Sequence, residues 1–392
     1  MVKISRYWQG LVGKISKSLE AIRKDIIVKT EKHLFEKVAS MDNIINAIHK
    51  AATNKRNRPE VIKVLKNPDK YAKVIYRKLW TKSYIPCIPV ESKVKEGSRQ
   101  KERTVTNISF FPDQIIHWAI ILQMQSPVTK SAYAVSCGCM PGRGVHYGKR
   151  FLERWIKGDR INTKYCAKLD IAKFYPSIQH TVAKRRFRVL TKDKKMLWLL
   201  DSVVDCYSPG LPIGFLTSQW FSNYILQNLD YFIKQKLKTK YYLRYMDDLV
   251  LFGRNKKELH RSIRSIAEFL GKEDLKLKEN WQLFKLDKRA LDVMGFRFYR
   301  NKTTLRKSLM LRISRKAAKI HKKGVATPKD AASMLSYMGW IKHSDTRSFH
   351  NHRVKKRVSI KVLKKIVSGF SKGEIKKNEN CRVRKQRIPI SA

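Results

Sequence analysis

The most informative pattern in the chain is a series of short apolar runs that end at turn residues, set between lysine-rich stretches with helical spacing. In residues 1 to about 80, apolar residues such as Ile22, Ile26 and Leu34 recur at helical spacing among many lysines. This pattern predicts an amphipathic helical region with a basic outer face. From residue 84 to residue 103, prolines and alternating side chains predict short strands joined by a charged turn.

Two of the apolar runs end at aspartates. The segment KYCAKLDIAKFYPSI predicts a buried strand that ends at Asp170 and leads into a turn. The segment YYLRYMDDLVLFG has a short apolar run on each side of Asp247 and Asp248, which predicts a β-hairpin with both aspartates at its tip. Between these segments, GLPIGFLTSQWFSNYILQNLDYFIK predicts a turn followed by one long helix.

The last part of the chain returns to helical spacing. After a strand pair predicted at VMGFRFYRN, the pattern beyond Lys307 is helical, with Thr327 as an N-cap and Pro328 at the first helical position. Residues 301–392 hold 26 Lys and Arg against 4 Asp and Glu. We expect a helical clamp over a phosphate backbone here, followed by a basic tail.

Composition adds a partner class to this picture. The 392 residues include 86 Lys and Arg against 31 Asp and Glu, a net charge of +55, for which nucleic acid is the usual partner. The 8 Trp, 16 Tyr and 16 Phe exceed what a disordered basic tail needs and indicate packed cores or base-stacking surfaces. A hydrophobic fraction of 43% in a chain of this length predicts a folded protein of two or three subdomains.

Neither the cysteines nor the apolar runs point to export or to a membrane. The six cysteines form no CxxC pair and are expected to be reduced thiols. We find no apolar run long enough for a signal peptide and no run of eighteen apolar residues. The expectation is a cytoplasmic protein without a membrane partner.

The three aspartates form the candidate chemical site. Burying three carboxylates together is costly unless cations neutralise them. Two Mg²⁺ ions about 3.5–4 Å apart would activate a primer 3′-hydroxyl and stabilise the pyrophosphate that leaves an incoming nucleotide. An isolated Asp pair is more often a turn or a cap. The hairpin pattern, the third Asp before an aromatic turn and the charge of the chain favour a metal site.

Several motifs resemble those of one enzyme family, in order, over roughly residues 80–345. YMDD resembles the hairpin motif of reverse transcriptases, DIAKFYPSI their first catalytic motif, KERTVTNISFFPDQIIHW their phosphate-contacting fingers, and VMGFRFY their primer-gripping element. The Ser218-Gln219 pair, where most relatives have Ser-Pro, is similar to the enzymes of diversity-generating retroelements. PGRGVHYG, LKENWQLF and SYMGWIKHSD also resemble that group.

The resemblance implies an α+β fold, the right-hand polymerase, with fingers, a palm of antiparallel sheet plus helices, and a helical thumb. The expected division is a basic helical extension at 1–80, fingers with part of the palm at 81–165, palm at 166–300, thumb at 301–370 and a basic tail at 371–392.

The resemblance also assigns the metal site. Asp170, Asp247 and Asp248 are implied as catalytic metal ligands, and Ile171 would offer a metal only its backbone carbonyl. Two Mg²⁺ ions are the expected cofactor, with Mn²⁺ as a substitute ion. Lys276 and Lys278 are both candidates to protonate pyrophosphate, and nothing in the sequence selects one.

The nucleotide-binding residues follow from the same motifs. Tyr175 matches an aromatic gate that would clash with a ribose 2′-hydroxyl, although an ordinary core aromatic is the alternative. Arg103, helped by Lys101, would grip the triphosphate. Gln219 matches the position beside the templating base, and the hypothesis is that Ser218 and Gln219 together loosen base selection. Ser218 is also a candidate helix cap.

The implied reaction is RNA-templated DNA synthesis, copying a template-repeat RNA with adenine-directed errors for mutagenic retrohoming. The expected partners are structured template RNA, an RNA/cDNA duplex, deoxynucleoside triphosphates and a small basic helical accessory protein, in a bacterial or phage-encoded system. Two alternatives stay open. One is a retron or phage-defence reverse transcriptase, and the other is a maturase-like RNA-binding protein.

Overall fold

The computed structural model describes residues 31–96 and 101–383. The predicted helical positions Ile22 and Ile26 lie outside these residues, as does the end of the basic tail. Helices open the described chain, as the apolar spacing predicts. They are α1 (Leu34–Val38), α2 (Met41–Ala51), α3 (Pro59–Lys66) and α4 (Pro68–Trp80).

A β-ribbon and a buried helix follow. The ribbon pairs β1 (Val90–Glu96) with β2 (Lys101–Asn107) in antiparallel register, which confirms the predicted short strands, while the predicted turn between them lies outside the described residues. Helix α5 (Ile115–Lys130) is apolar on most sides and packs against the first helices. There Asn43 donates a side-chain hydrogen bond to the Ala119 carbonyl at 3.0 Å. The N-terminal helices are therefore part of the folded body.

The described residues form a central five-stranded sheet in the order β3-β5-β6-β4-β7. Its strands are β3 (Ser136–Cys137), β4 (Tyr165–Asp170), β5 (Tyr241–Tyr245), β6 (Asp248–Gly253) and β7 (Gln282–Lys285). Strand β4 runs antiparallel to both β6 and β7, and β5 forms the predicted hairpin with β6.

The two faces of this sheet belong to two different apolar cores. Leu169 and Leu249 point into a core shared with the N-terminal helices, whereas Cys166 and Val250 point into a core shared with the C-terminal helices. This division follows from the period of two in a strand, which sends successive side chains to opposite faces. Both faces are therefore covered, which accounts for the continuous apolar runs in β4 and β6.

Helices cover the sheet on both sides. These are α6 (Val145–Gly158), α7 (Phe174–Ser177), α8 (His180–Leu190), α9 (Lys194–Asp205), α10 (Leu216–Ile225), α11 (Gln227–Tyr231) and α12 (Lys256–Gly271). The prediction of one long helix after residue 211 is wrong in one respect. Leu226, with a ψ of −6°, separates α10 from α11.

The C-terminal region is a small sheet followed by helices, as predicted. Strands β8 (Leu291–Val293), β9 (Phe296–Phe298) and β10 (Thr303–Leu305) form the sheet. The helices are α13 (Lys307–Lys323), α14 (Pro328–Lys342), α15 (Arg347–Phe349) and α16 (Ile360–Ser371). A short pair, β11 (Val325–Ala326) with β12 (Cys381–Arg382), lies beside them. The predicted N-cap Thr327 is confirmed, in a reciprocal capping box with Asp330.

The C-terminal helices pack directly on the small sheet. Gly295, between β8 and β9, has a φ of +82°, and a Cβ there would lie 2.8 Å from the Trp340 ring of α14. Glycine is needed at this position both for its backbone angle and for the close approach of the indole. Across the described ranges, no helix is both long and apolar enough to cross a membrane. The architecture is α+β, with an antiparallel sheet covered by helices.

Candidate active site

The sheet brings the three predicted aspartates together. Asp170 is the last residue of β4 and lies directly opposite Asp248, the first residue of β6. Directly opposed residues in an antiparallel pair have Cα atoms about 4.5–5.5 Å apart. Asp247 lies in the two-residue turn that joins β5 to β6, and its carbonyl accepts a hydrogen bond from the Ile171 amide at 3.4 Å. Two segments 77 residues apart thus meet at one edge of the sheet.

Burial and mutual repulsion make this edge unfavourable for negative charge. Burial, followed by the charge of Asp170, raises the pKa of Asp247. Burial also raises the pKa of Asp248 to about 6, with Asp170 and Asp247 adding to the shift and Lys168 opposing it. A cation between these carboxylates would offset the cost of burial and the mutual repulsion.

One cation of the chain already touches the cluster. The Lys278 ammonium contacts Asp170 Oδ2, and the Lys278 backbone amide donates to the Asp170 carbonyl at 2.8 Å. Lys276 lies on the same segment, where its carbonyl accepts a hydrogen bond from Ala172, but its side chain is exposed. The structure therefore distinguishes two lysines that the sequence leaves equal.

The residues at this edge fit a divalent cation that a substrate helps to hold. The buried Oδ1 of Asp170 accepts no hydrogen bond within the described part of the chain. Across residues 31–96 and 101–383, no three acidic, His or Cys side chains form a set that could hold a metal ion alone. Mg²⁺ at phosphoryl-transfer sites is bound by one or two carboxylates together with substrate phosphates. Carboxylates among Asp170, Asp247 and Asp248 would supply the protein's share.

The charge cluster has a measurable effect on stability. The pKa of Asp248 rises from 3.8 to about 6 on folding. Ionised Asp248 therefore lowers the free energy of unfolding; this loss is absent below pH 4, grows between pH 4 and 6, and is complete above pH 6. Asp248→Asn should therefore raise the free energy of unfolding by about 3 kcal/mol at pH 8 in metal-free buffer, and by little at pH 4. Urea titrations at both pH values measure this gain. Glu268→Gln, on an exposed position of α12, is the control. A variant less stable than wild type at pH 8 would contradict the prediction.

Tyr175 lies beside the aspartates on helix α7. Burial raises the pKa of its hydroxyl to about 12, Ser222 of α10 opposes this shift by a hydrogen bond, and Asp247 adds to it. The Tyr175 carbonyl accepts a hydrogen bond from the Leu211 amide at 2.9 Å. Tyr175 is thus held near Asp247 and the second half of α10, and the residue is half-buried.

Ser218 and Gln219 occupy the first turn of α10, but the expectation that Ser218 caps this helix is wrong. The N-cap is Phe215, and Ser218 is a buried residue inside the helix. The helix begins earlier because Gly214, with a φ of +122°, turns the chain against β2, where a Cβ would lie 2.3 Å from the Thr106 carbonyl oxygen. Gln219 stays partly exposed beside it.

The remaining predicted residues surround the same edge. Arg103 on β2 is exposed, and its charge opposes the rise in the pKa of Asp247. Lys101 begins the same strand, and its side chain lies outside what the structure describes. Ile171 is buried, which leaves its backbone as the part that a ligand could reach.

Sequence reasoning missed two cations near the aspartates. Lys168 lies on β4, two residues before Asp170, and its ammonium donates to the Asp292 carbonyl at 2.8 Å. Arg244, on β5, is fully buried below the hairpin turn. A basic residue inside an apolar strand was the available signal for both, and the high overall charge of the chain obscured it.

Comparison with known proteins gives matches over this part of the chain. Residues 93–298 match the family model "Reverse transcriptase (RNA-dependent DNA polymerase)". Over 101 residues, 22% of this chain, the sequence is 34% identical to the retron Ec73 reverse transcriptase of Escherichia coli, of which the match covers 32%.

Solved structures with partial similarity include two telomerases. One is the Candida albicans enzyme with a fragment of telomeric RNA, with a TM-score of 0.41 and 10% identity, over 59% of this chain and 49% of that one. The other is the truncated apo enzyme of Candida tropicalis, with a TM-score of 0.41 and 14% identity, over 56% and 55%. The chain thus spans about a third of the retron enzyme and about half of each telomerase. The family model, in contrast, covers more than half of this chain and includes Asp170, Asp247 and Asp248, and on this ground the chain belongs to the reverse transcriptase family.

Proposed function

We propose that this protein is an RNA-directed DNA polymerase whose active site is the sheet edge that holds Asp170, Asp247 and Asp248. The observation that carries the proposal is the direct pairing of Asp170 with Asp248, with one buried carboxylate oxygen left without a donor among the described residues. In this proposal the fingers, palm and thumb follow the expected division at residues 81–165, 166–300 and 301–370.

The chain's own residues would share the work of phosphoryl transfer. Asp170, Asp247 and Asp248 would hold the Mg²⁺ ions through their carboxylates, and Ile171 would offer its backbone carbonyl. When bound, the ions would supply activation of the primer 3′-hydroxyl and charge neutralisation at the leaving group. Arg103 on the exposed ribbon would bind the triphosphate, as guanidinium groups bind phosphate oxygens in pairs.

Lys278 is the proposed proton donor to pyrophosphate. Its ammonium stands at Asp170, whereas the side chain of Lys276 is exposed to solvent. A proton donor must lie within hydrogen-bond reach of the leaving oxygen, and a metal-bound triphosphate would lie at this carboxylate. The contact with Asp170 would also keep the ammonium in place before substrate arrives.

Primer extension on a defined RNA template with deoxynucleotides and Mg²⁺ tests the activity. We expect template-dependent extension whose products are DNA. Salt-dependent RNA binding alone would not support the proposal, because a net charge of +55 predicts binding to any RNA. A folded protein that binds RNA but extends no primer, with accessory protein supplied, would favour the maturase-like alternative.

Tyr175 is the proposed gate against ribonucleotides. The proposal is supported by the nearness of Tyr175 to Asp247 and to Ser222 of α10, and the ring would lie against the sugar of an incoming nucleotide. Replacing Tyr175 by Ala should raise incorporation of ribonucleotides relative to deoxynucleotides by roughly 30-fold. Single-nucleotide extension with a ribonucleotide and with the matching deoxynucleotide measures the ratio of their kcat/KM values. Tyr175→Phe is the control, because it keeps the aromatic ring. An unchanged ratio in the Ala variant would show that the ring is only a packing residue.

We further propose the biological role of a diversity-generating retroelement enzyme, which copies a template-repeat RNA with errors at adenines. The Ser218-Gln219 pair supports this role, because Gln219 is partly exposed in the first turn of α10 and its amide can rearrange hydrogen bonds. Gln219→Pro should reduce misincorporation opposite template adenine severalfold while extension continues. Sequencing of the products measures this frequency, and errors that persist at the original frequency would remove Gln219 from the explanation.

The retron alternative has its own support in the 34% identity to the retron Ec73 enzyme. The same sequencing separates the two roles. Accurate copying by the wild type would favour a retron or defence role, whereas errors concentrated at template adenines would favour the retroelement role.

A further inference from the structure

A buried ion pair lies directly below the turn that carries Asp247. The Arg244 guanidinium and the Asp230 carboxylate are both fully inaccessible to solvent, and they form two hydrogen bonds, of 2.8 and 2.7 Å. The Tyr242 hydroxyl donates to the same carboxylate at 2.8 Å. Burying two charges is costly, so such a pair needs a reason beyond stability.

All five N–H groups of Arg244 have an acceptor. Nε and one Nη2 hydrogen bind Asp230, and the other Nη2 hydrogen binds Ser136 Oγ at 2.6 Å. Nη1 binds Asn223 Oδ1 at 2.8 Å and the Met246 carbonyl at 3.1 Å. The contacts join helices α10 and α11, strand β3 and the hairpin through one side chain. Lysine has three donors on one atom and could not replace this planar set.

The residue that receives one of these bonds has a strained backbone. Met246 has a φ of +56°, in the left-handed region that non-glycine residues rarely adopt. Two-residue hairpin turns usually place Gly, Asn or Asp at such a position. Its amide donates to the Cys137 carbonyl at 3.0 Å, and its carbonyl accepts from Arg244. A strained residue persists only where its surroundings hold it.

We propose that Arg244 is a positioning residue that holds Met246 in its left-handed conformation and so sets the place of Asp247 and Asp248 against Asp170. The expected effect on kcat rests on the proposed polymerase function. The expected effect on the conformation of the hairpin turn rests on its geometry alone. Asp230, Asn223 and Ser136 hold the guanidinium in turn. Their contacts link the aspartates to helix α10, which carries Ser218 and Gln219.

The first experiment compares Arg244→Lys with Arg300→Lys. Arg300 is a matched control, because it also binds several acceptors, Asp287 at 2.8 Å and the Thr163 hydroxyl and carbonyl at 2.5 and 3.1 Å. It lies beyond the other end of β4, on the order of 20 Å from Asp170 along the strand. Arg244→Lys should lower kcat about 100-fold, the effect of misplacing a reacting group by about 1 Å, with a smaller change in the KM for deoxynucleotide. Arg300→Lys should lower the Tm and leave kcat within about threefold of wild type.

The second experiment tests the route through Met246. Glycine adopts a positive φ without steric cost, so Met246→Gly should make the turn less dependent on Arg244. In that background, the effect of Arg244→Lys on kcat should shrink from about 100-fold to less than about 10-fold. Equal effects in both backgrounds would overturn the proposal, since a residue that only stabilises the core would show no such coupling.

The third measurement does not need polymerase activity. Hydrogen exchange of a peptide spanning residues 240–253 should be faster in Arg244→Lys than in wild type and unchanged in Arg300→Lys, with no metal or nucleotide present. If wild type extends no primer, the proposed function fails, and exchange still decides whether Arg244 holds the turn. Unchanged exchange in Arg244→Lys, or a kcat loss no greater than that of the control, would overturn the inference. If Arg244→Lys does not fold, Ser136→Ala removes one acceptor of the same guanidinium and should show the same exchange and coupling with Met246→Gly.

Discussion

Primer extension by Asp247→Asn should fall at least about 1,000-fold below wild type, while the protein stays folded and still binds RNA. The amide keeps the shape of the side chain but removes its charge at an edge where three carboxylates meet. A loss of this size corresponds to about 4 kcal/mol of transition-state stabilisation, which is within what charge neutralisation at a metal site supplies. Single-turnover extension at saturating Mg²⁺ measures it.

The matched control is Asp159→Asn at the opposite end of the sheet. Asp159 binds Lys240 and Tyr241 at 2.8 and 2.9 Å, so its loss should affect stability but leave extension within a few fold of wild type. Asp247→Asn should not lower the Tm, because burial and Asp170 already disfavour the charged form of Asp247. Extension by Asp247→Asn within about tenfold of wild type would move the active site away from this edge.

Lys278→Ala should lower kcat about 100-fold, and Lys276→Ala should change it by less than about threefold. The reason is that a general acid contributes two to four orders of magnitude, and the Lys278 ammonium is the one held at Asp170. Rapid-quench measurement of a single nucleotide addition reports the chemical step.

Lys278→Arg separates proton transfer from charge. Arginine can restore the ion pair with Asp170 but does not release a proton in proteins. If Lys278 donates a proton, the Arg variant should stay close to the Ala variant in rate. Recovery of the wild-type rate by Arg would assign Lys278 a purely electrostatic role, and a larger loss in Lys276→Ala would reverse the assignment.

The strands of the site were predictable from the sequence because each is a short apolar run that ends at polar turn residues, the pattern of a buried strand. A strand buried on both faces needs a continuous apolar run, and Asp170 and Asp248 lie where these runs end. Thr327 with Pro328 is an equally local signal, and the capping box confirms it. The residues that form each of these signals lie close together in the sequence, so the elements can be predicted without knowing which distant residues pack against them.

Other features depend on contacts that no local pattern contains. The choice of Lys278 over Lys276 depends on how their segment runs past β4, and the acceptors of Arg244 come from β3, α10 and α11. Ser218 was expected as a cap because Ser is a good N-cap residue, but Gly214 starts the helix earlier. Predictions failed where a turn or a distant partner decided the outcome.

The two-sided packing of the sheet limits where this protein can be stabilised without moving the three aspartates. Leu249 and Val250 are the two residues of β6 that follow Asp248 in the chain, and one lies in each apolar core. Repacking in either core can therefore shift the same carboxylate. Stabilising substitutions for biochemical work should be chosen where helices pack on helices, as around Ile44 of α2, rather than against the strands that end at the aspartates.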